Sequence, residues 1–148
     1  MENYDLCVLG GGPSGYAAAM RAVDFGKKVI LVERNRLGGA GVYNGALSSK
    51  TFWELSKEIA SMRHKLDGYG MKMPQIPFGN ILEEVDNAVY ERSAQLEEHL
   101  RQIVHRDGEN FRFVKGSGRL LTPNKIEMRG EFEPYVVRSD YTIIATGS

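Results

Sequence analysis

The sequence contains a single cysteine, Cys7, among its 148 residues, so no disulfide can form within the chain. Small secreted domains commonly depend on several disulfides, and a lone thiol therefore favours a reducing compartment. The first residues also lack the features of a secretory signal, because Glu2 is acidic and glycines break the apolar run that follows. We therefore expect a cytoplasmic location.

An excess of charge of one sign and long apolar runs are missing as well. The 19 Lys and Arg residues balance the 19 Asp and Glu residues, which gives no electrostatic reason to expect nucleic acid or an anionic membrane as partner. No segment approaches the ~18 consecutive apolar residues of a membrane-spanning helix. His64, His99 and His105 are not grouped with other metal ligands. The sequence predicts no nucleic-acid partner, no membrane association and no metal site.

Glycine, by contrast, is plentiful, and it clusters between two apolar runs near the N-terminus. The runs at residues 5–9 and 28–32 predict buried strands, and the alanine-rich segment 14–25 predicts a helix between them. This order is that of a βαβ unit, whose two strands lie parallel in one sheet.

Gly10, Gly12 and Gly15 form a Gly-x-Gly-x-x-Gly motif at the junction of the first strand and helix. The first glycine permits a sharp turn, the second lets a diphosphate approach the backbone, and the third lets helix and strand pack closely. Glu33 closes the second strand, where a carboxylate can bind ribose hydroxyls and repel a 2′-phosphate. The motif predicts a site for FAD or NAD rather than NADP. The alternative is a glycine-rich turn in an unrelated α/β protein, with Glu33 as a surface charge.

The middle of the chain is predicted to be largely helical. A glycine-rich loop is expected over residues 37–49 and a helix over 50–66, with Phe52 and Trp53 packed in the core. Apolar residues at spacings of three and four predict an amphipathic helix over 81–104. We expect this helix to pack on the sheet, although its pattern also suits a coiled-coil partner surface.

The last part of the chain predicts strands. Apolar runs separated by turn residues indicate a β-meander and then a final strand, over residues 111–115, 119–121, 125–128, 135–138 and 141–145. Together with the βαβ unit, this predicts the α/β class. The expected architecture is one Rossmann-like domain over residues 1–148, with a parallel sheet, helices and a β-meander in three layers.

Residues 37–50, LGGAGVYNGALSSK, resemble the redox-active loop of the class I pyridine nucleotide-disulfide oxidoreductases, such as dihydrolipoamide dehydrogenase. In that family the loop reads Gly-Gly-Thr-Cys, four residues, Cys, then Ile-Pro-Ser-Lys. The matching positions are Gly38, Gly39, Gly45, Ser49 and Lys50. Gly116 and Gly118 before the meander and the closing Ala-Thr-Gly-Ser also fall where the family has them, so the resemblance covers the whole chain.

The chain departs from the family at the two redox cysteines, which would fall at Gly41 and Ala46. Ser48 likewise replaces the family's proline. Disulfide exchange needs a thiolate and a second sulfur, and Cys7 lies on a predicted strand far from the loop. This segment is therefore expected to be incapable of the family's disulfide step.

The resemblance implies an FAD cofactor whose ADP half lies on the glycine turn. It implies that Glu33 binds the adenosine ribose, that Gly118 passes close to the adenine, and that Lys50 lies near the flavin ring. Tyr43 is expected to pack or face solvent rather than stack on the flavin. No catalytic residue is predicted within the chain. The residues expected to bind the cofactor are Gly10, Gly12, Gly15, Glu33, Arg34, Gly38, Gly39, Ala40, Gly41, Lys50, Gly118, Thr146, Gly147 and Ser148.

The resemblance further implies a function for the whole protein. NAD(P)H reduces FAD by hydride transfer, and the electrons then pass to an acceptor other than a disulfide, such as a second nicotinamide nucleotide, a quinone or oxygen. The family's NAD(P)H-binding and dimerisation domains follow the last turn, so this chain is expected to be a fragment of a longer, homodimeric protein. Two alternatives stay open: a non-catalytic flavin-binding or degenerate module, and a plain NAD-binding domain.

Overall fold

The computed structural model describes residues 1–130 and 133–147. Within them, five strands and four helices follow one another along the chain. In chain order they are β1 (Asn3–Leu9), α1 (Pro13–Asp24), β2 (Val29–Glu33), α2 (Gly39–Val42), α3 (Ala46–Gly68), α4 (Phe78–Asp107), β3 (Phe111–Thr122), β4 (Lys125–Gly130) and β5 (Tyr135–Ile144). None of these helices is both long enough and apolar enough to cross a bilayer.

The predicted βαβ unit is confirmed as β1, α1 and β2. β1 and β2 pair in parallel, with Leu6 opposite Val29 and Leu9 opposite Val32. β3 pairs in parallel with β2, and β5 pairs in parallel with β1. The parallel sheet therefore has the strand order β3-β2-β1-β5. All five residues of β2 are buried, as expected for a strand covered on both faces.

β3 and β5 each pair with two neighbouring strands, so the five strands close into one barrel-like sheet. Residues 111–115 of β3 pair with β2, and residues 116–122 pair antiparallel with β4. β5 pairs with β4 through residues 135–138 and with β1 through residues 138–144. The prediction of separate strands at 111–115 and 119–121, and at 135–138 and 141–145, was therefore wrong. Each pair is one continuous strand. The backbones of β3 and β4 lie so close together that a Cβ at Gly116 would overlap the Arg129 carbonyl oxygen.

Two hydrophobic clusters lie on the two faces of the parallel sheet and make the architecture three-layered. Side chains alternate along a strand, so Val8 and Leu31 face the helices while Cys7 and Ile30 face the meander. The helix-side cluster also contains Ala19, Leu96, Leu100, Ile103 and Phe111. The meander-side cluster also contains Ile126, Met128 and Val137. The predicted α/β class, with helices, a parallel sheet and a meander in three layers, is confirmed.

The helical part differs from the sequence prediction in three places. The expected loop over residues 37–49 contains α2 and the start of α3, because buried Val42 and half-buried Leu47 pack on the helix-side core. Trp53 was expected in the core but is 65% exposed. Phe52 is half-buried and stacks on Phe78 of α4, with 6.4 Å between ring centroids. The C-terminal half of α4 packs on the sheet, as predicted.

The Gly15→Ala variant is expected to lose about 3 kcal/mol of unfolding free energy, because the added Cβ would overlap the Gly10 carbonyl oxygen. Gly68→Ala is the matched control, since a Cβ there meets no atom within 4 Å. That variant should be neutral or about 0.5–1 kcal/mol more stable. Urea denaturation measures both values, and equal stability of the two variants would contradict this packing.

The buried thiol of Cys7 is expected to make stability fall at alkaline pH. Cys7 has no exposed surface, and burial raises the pKa of its thiol from 9.0 to about 12. The unfolded chain therefore releases this proton above about pH 9, whereas the folded chain retains it. The contribution is fully present below pH 9 and is lost as pH rises toward 12, with a slope of about 1.4 kcal/mol per pH unit.

Cys7→Ala tests this linkage, because it removes the titrating proton. Urea denaturation between pH 8 and pH 10.5 should give a shallower decline for the variant, whatever its stability at pH 7. Parallel curves for the two proteins would show that the thiol titrates alike in both states.

Candidate functional site

The carboxyl ends of the parallel strands border a groove, which is where open α/β sheets bind their ligands. The groove consists of a smaller cavity of about 200 Å³ and a larger one of about 660 Å³. Both cavities are lined by Glu33, Arg34, Asn35 and Thr146, so they adjoin one another. We call the whole the strand-end groove.

The three motif glycines meet three different requirements. Gly10 has a φ of 107°, in the left-handed region, and a Cβ there would overlap the Ala145 carbonyl oxygen. Gly15 is buried against the Gly10 carbonyl oxygen and joins helix to strand. A Cβ added at Gly12 would meet no atom within 4 Å, and Gly12 lines the larger cavity. Gly12 is therefore the position at which a ligand can approach the backbone.

The N-terminus of α1 opens onto the larger cavity. Gly12 is its N-cap, Pro13 stands in the first turn, and no side chain caps the helix. The first N–H groups of a helix have no partner within the helix, and its dipole places partial positive charge there. Pro13 and Ser14 line the cavity beside Gly12. This end of the groove is built to hold an anion such as a phosphate.

Glu33 holds a carboxylate in a defined position at the tip of β2. The residue is only 9% exposed. Its Oε2 accepts a hydrogen bond of 2.6 Å from the Gly11 N–H, and its Oε1 accepts one of 2.6 Å from the Asn35 N–H. A carboxylate oxygen accepts two hydrogen bonds, so each keeps one acceptor position for a hydroxyl in the groove.

Two arginines after Glu33 add positive charge to the groove. Arg34 lines both cavities and Arg36 lines the larger one. Among residues 1–130 and 133–147, neither has a carboxylate within 4.0 Å. The Arg36 guanidinium carbon lies 5.0 Å from the centre of the Tyr43 ring, and the Tyr43 hydroxyl is hydrogen-bonded to that of Ser93.

Sequence reasoning missed Asn35 and Arg36 as residues of the groove. Their position directly after the acidic residue that ends β2 was the signal available, because the groove lies at the strand ends. It also did not place Tyr43 between Arg36 and α4, since Ser93 lies 50 residues along the chain from Tyr43. Tyr43 packs against the helix-side cluster and also lines the larger cavity. The expectation that it does not stack on the flavin stays a prediction.

Nine of the fourteen predicted site residues line the groove. They are Gly10, Gly12, Glu33, Arg34, Gly39, Ala40, Gly118, Thr146 and Gly147. The structure thus brings together positions from four separate segments of the chain.

Four other predicted residues do not line the groove. Gly15 packs helix on strand, and Gly38 is the N-cap of α2, with its N–H donating to the Gly11 carbonyl at 2.8 Å. Gly41 packs against the Pro13 ring. Lys50 lies within α3 rather than at its start, exposed and 3.7 Å from Glu54. Their contacts with a cofactor stay predictions, and Ser148 lies outside the described residues.

The chain has no pair of cysteine thiols for this site. Gly41 on α2 and Ala46 at the start of α3 stand where the resemblance implies the family's two cysteines. Cys7 is fully buried on β1, with its pKa raised to about 12 by burial. A thiol that is fully buried and stays protonated is inert, as predicted for Cys7.

Comparison with known proteins gives a family match over nearly the whole chain. A family model described as pyridine nucleotide-disulphide oxidoreductase matches residues 4–148. The dihydrolipoyl dehydrogenase of Vibrio parahaemolyticus is 34% identical over 145 residues, which cover 97% of this chain and 29% of that protein. The leghemoglobin reductase of Glycine max is 31% identical over 151 residues, which cover 99% and 28% respectively.

A solved structure shares the fold. The Cu(II) complex of the HOCl-induced flavoprotein disulfide reductase RclA from Escherichia coli matches with a TM-score of 0.72 at 17% sequence identity. The match covers 99% of this chain and 29% of that one. The chain thus spans less than a third of each of these three proteins. Because the family model matches all but the first three residues, the chain belongs to the pyridine nucleotide-disulphide oxidoreductase family, for which FAD is the expected cofactor.

Proposed function

We propose that residues 1–148 form the FAD-binding part of an NAD(P)H oxidoreductase and hold the ADP half of FAD in the strand-end groove. The observation that carries this proposal is the open backbone at Gly12, on the uncapped N-terminus of α1, beside the fixed carboxylate of Glu33. A diphosphate and a ribose are the groups that such a pair complements.

Each part of the cofactor's ADP half has a matching part of the groove. The diphosphate lies against Gly12 and Ser14, where helix N–H groups and the dipole stabilise negative charge. The ribose hydroxyls donate to the free acceptor positions of Glu33. The adenine enters the smaller cavity, which Arg34 and Gly118 line. A 2′-phosphate is disfavoured, because it would meet the Glu33 carboxylate.

The residues of this chain bind and orient the cofactor, and they perform no thiol chemistry. When bound, FAD supplies the capacity to accept a hydride from NAD(P)H and to pass the two electrons on. Because Gly41 and Ala46 stand where the family has its redox cysteines, the electrons pass to an acceptor other than a disulfide of this segment. A second nicotinamide nucleotide, a quinone and oxygen are the candidate classes.

The partners and location of the whole protein are part of the same proposal. The relatives are more than three times as long as the aligned segment, so an NAD(P)H site and homodimer formation belong to sequence beyond this segment. A cytoplasmic location is proposed from the single, buried cysteine. One relative, from Pisum sativum, is named as mitochondrial, and cell fractionation distinguishes the two locations.

The second candidate function is a flavin-binding module without turnover. It is favoured by the absence of both redox cysteines, because a module retained only for assembly does not need the catalytic pair. This candidate predicts FAD binding but no bleaching of the flavin absorbance by NAD(P)H in the full-length polypeptide. The oxidoreductase predicts bleaching.

The Gly12→Ala variant should separate binding from folding. A methyl group at Gly12 meets no protein atom but enters the larger cavity. We expect the affinity for FAD and ADP to fall by about tenfold or more, with a thermal unfolding midpoint within about 2 °C of the parent. Isothermal titration calorimetry and thermal unfolding measure the two effects.

Gly79→Ala is the matched control for this variant. Gly79 lies in α4, away from the groove, and a Cβ there also meets no atom within 4 Å. It should leave the affinity unchanged and, like Gly68→Ala, be neutral or about 0.5–1 kcal/mol more stable. If Gly12→Ala bound FAD and ADP as tightly as Gly79→Ala, the diphosphate would not lie on this turn.

The chain loaded with FAD should consume two electrons in an anaerobic reductive titration, because flavin is then its sole redox group. A bound flavin and a disulfide together would consume four, two for each group. Titration with dithionite, followed by loss of flavin absorbance, gives the count. Consumption of a second two-electron equivalent would contradict this expectation and reveal a further redox group in the chain.

A further inference from the structure

We propose that Arg36 contacts the diphosphate of the bound dinucleotide, and that Tyr43 and Ser93 hold it in place for this contact. The inference rests on the proposed function and adds three residues to that site: Arg36 in the loop between β2 and α2, Tyr43 directly after α2, and Ser93 on α4. Neither the sequence motif nor the family resemblance pointed to Arg36 or Ser93.

Arg36 is one of the residues that line the larger cavity. The residue is exposed, and it lines the same cavity as Gly12 and Ser14 at the start of α1. Helix N–H groups and a guanidinium bordering one cavity both complement an anion. A guanidinium is permanently charged, and its fork of N–H donors matches two phosphate oxygens.

Tyr43 restricts where the guanidinium can lie. The Arg36 guanidinium carbon is 5.0 Å from the centre of the Tyr43 ring, within the range of a cation–π interaction. The ring is itself half-buried, and its hydroxyl is hydrogen-bonded to Ser93 of α4. A side chain held in this way loses less conformational entropy on binding a ligand than a free one does. Tyr43 and Ser93 are therefore positioning residues.

Arg36 forms no ion pair among the described residues, although Asp86 and Glu97 line a second cavity with it. No carboxylate in the described part of the chain lies within 4.0 Å of its guanidinium. The nearest acidic residue in sequence, Glu33, directs both carboxylate oxygens at the N–H groups of Gly11 and Asn35. An unpaired guanidinium in a groove is a binding group for an anionic ligand.

Two phosphates of a dinucleotide could supply that anion: the diphosphate and, in NADP-type cofactors, a 2′-phosphate. The diphosphate is favoured, because Arg36 shares its cavity with the α1 N-terminus and a 2′-phosphate would meet the Glu33 carboxylate. ADP, adenosine and 2′-AMP are therefore the probes that distinguish the two.

The experiment is calorimetric titration of the 148-residue chain with ADP, adenosine and 2′-AMP. Arg36→Met should weaken ADP binding by about tenfold or more and change adenosine binding by less than about twofold. Arg36→Lys should restore part of the ADP affinity, because it keeps the charge but not the fork.

Arg21→Met is the matched control. Arg21 also lies over an aromatic ring, that of Phe25, at 4.4 Å, and it is exposed at the far end of α1. Its replacement removes the same kind of side chain without touching the groove. ADP affinity should therefore match that of the parent chain.

A double-mutant cycle tests the positioning role of Tyr43. Tyr43→Leu should weaken ADP binding in the parent but cause no further loss in the Arg36→Met background, because its effect passes through Arg36. A merely structural role for Tyr43 would give the same loss in both backgrounds and in adenosine binding.

Three results would overturn the assignment. Undiminished ADP binding by Arg36→Met removes the contact, while an equal loss for ADP and adenosine shows a general effect on the groove. A loss confined to 2′-AMP moves the contact to a 2′-phosphate. Failure of the parent chain to bind ADP at all overturns the proposed function, and this inference with it.

Discussion

The packing of α1 on the end of β1 is the constraint on which the rest of the structure depends. The Gly10 carbonyl oxygen occupies the space that any side chain at position 15 would need. This contact lets the helix begin directly beyond the strand, so that its free N–H groups point into the groove rather than into the core. The end of β5 comes close to the same point, because Gly10 has no side chain that would overlap the carbonyl oxygen of Ala145.

The hydrogen bonds around Gly11 extend this constraint to the next segments of the chain. Its N–H donates to Glu33 at the end of β2, and its carbonyl accepts from Gly38 at the start of α2. The carboxylate that is proposed to bind ribose therefore also joins the turn to β2. The group proposed to bind the ribose thus also contributes to local stability.

The loop that lacks the family's two cysteines still lines the groove. Gly41 packs on Pro13, and Tyr43 lies between Arg36 and Ser93. The segment that supplies redox sulfurs in the resembled family here joins the glycine turn to α4. The packing of this segment depends on contacts that need no sulfur, so the scaffold does not require the cysteines.

The amino-acid sequence by itself determined the βαβ unit, the separate roles of Gly10, Gly12 and Gly15, the order of the later elements, and the family. These features depend on local periodicity and on motifs within about 30 residues, which a linear pattern records. Tertiary structure decided that the glycine-rich segment after β2 becomes helical, since packing of Val42 and Leu47 overrides the poor helix propensity of glycine. It also decided that β3 and β5 each pair with two neighbouring strands and so close the sheet, that Trp53 faces solvent, and that Tyr43 lies between Arg36 and Ser93. Those outcomes depend on partners far along the chain, and no local pattern specifies which distant side chain fills a given space.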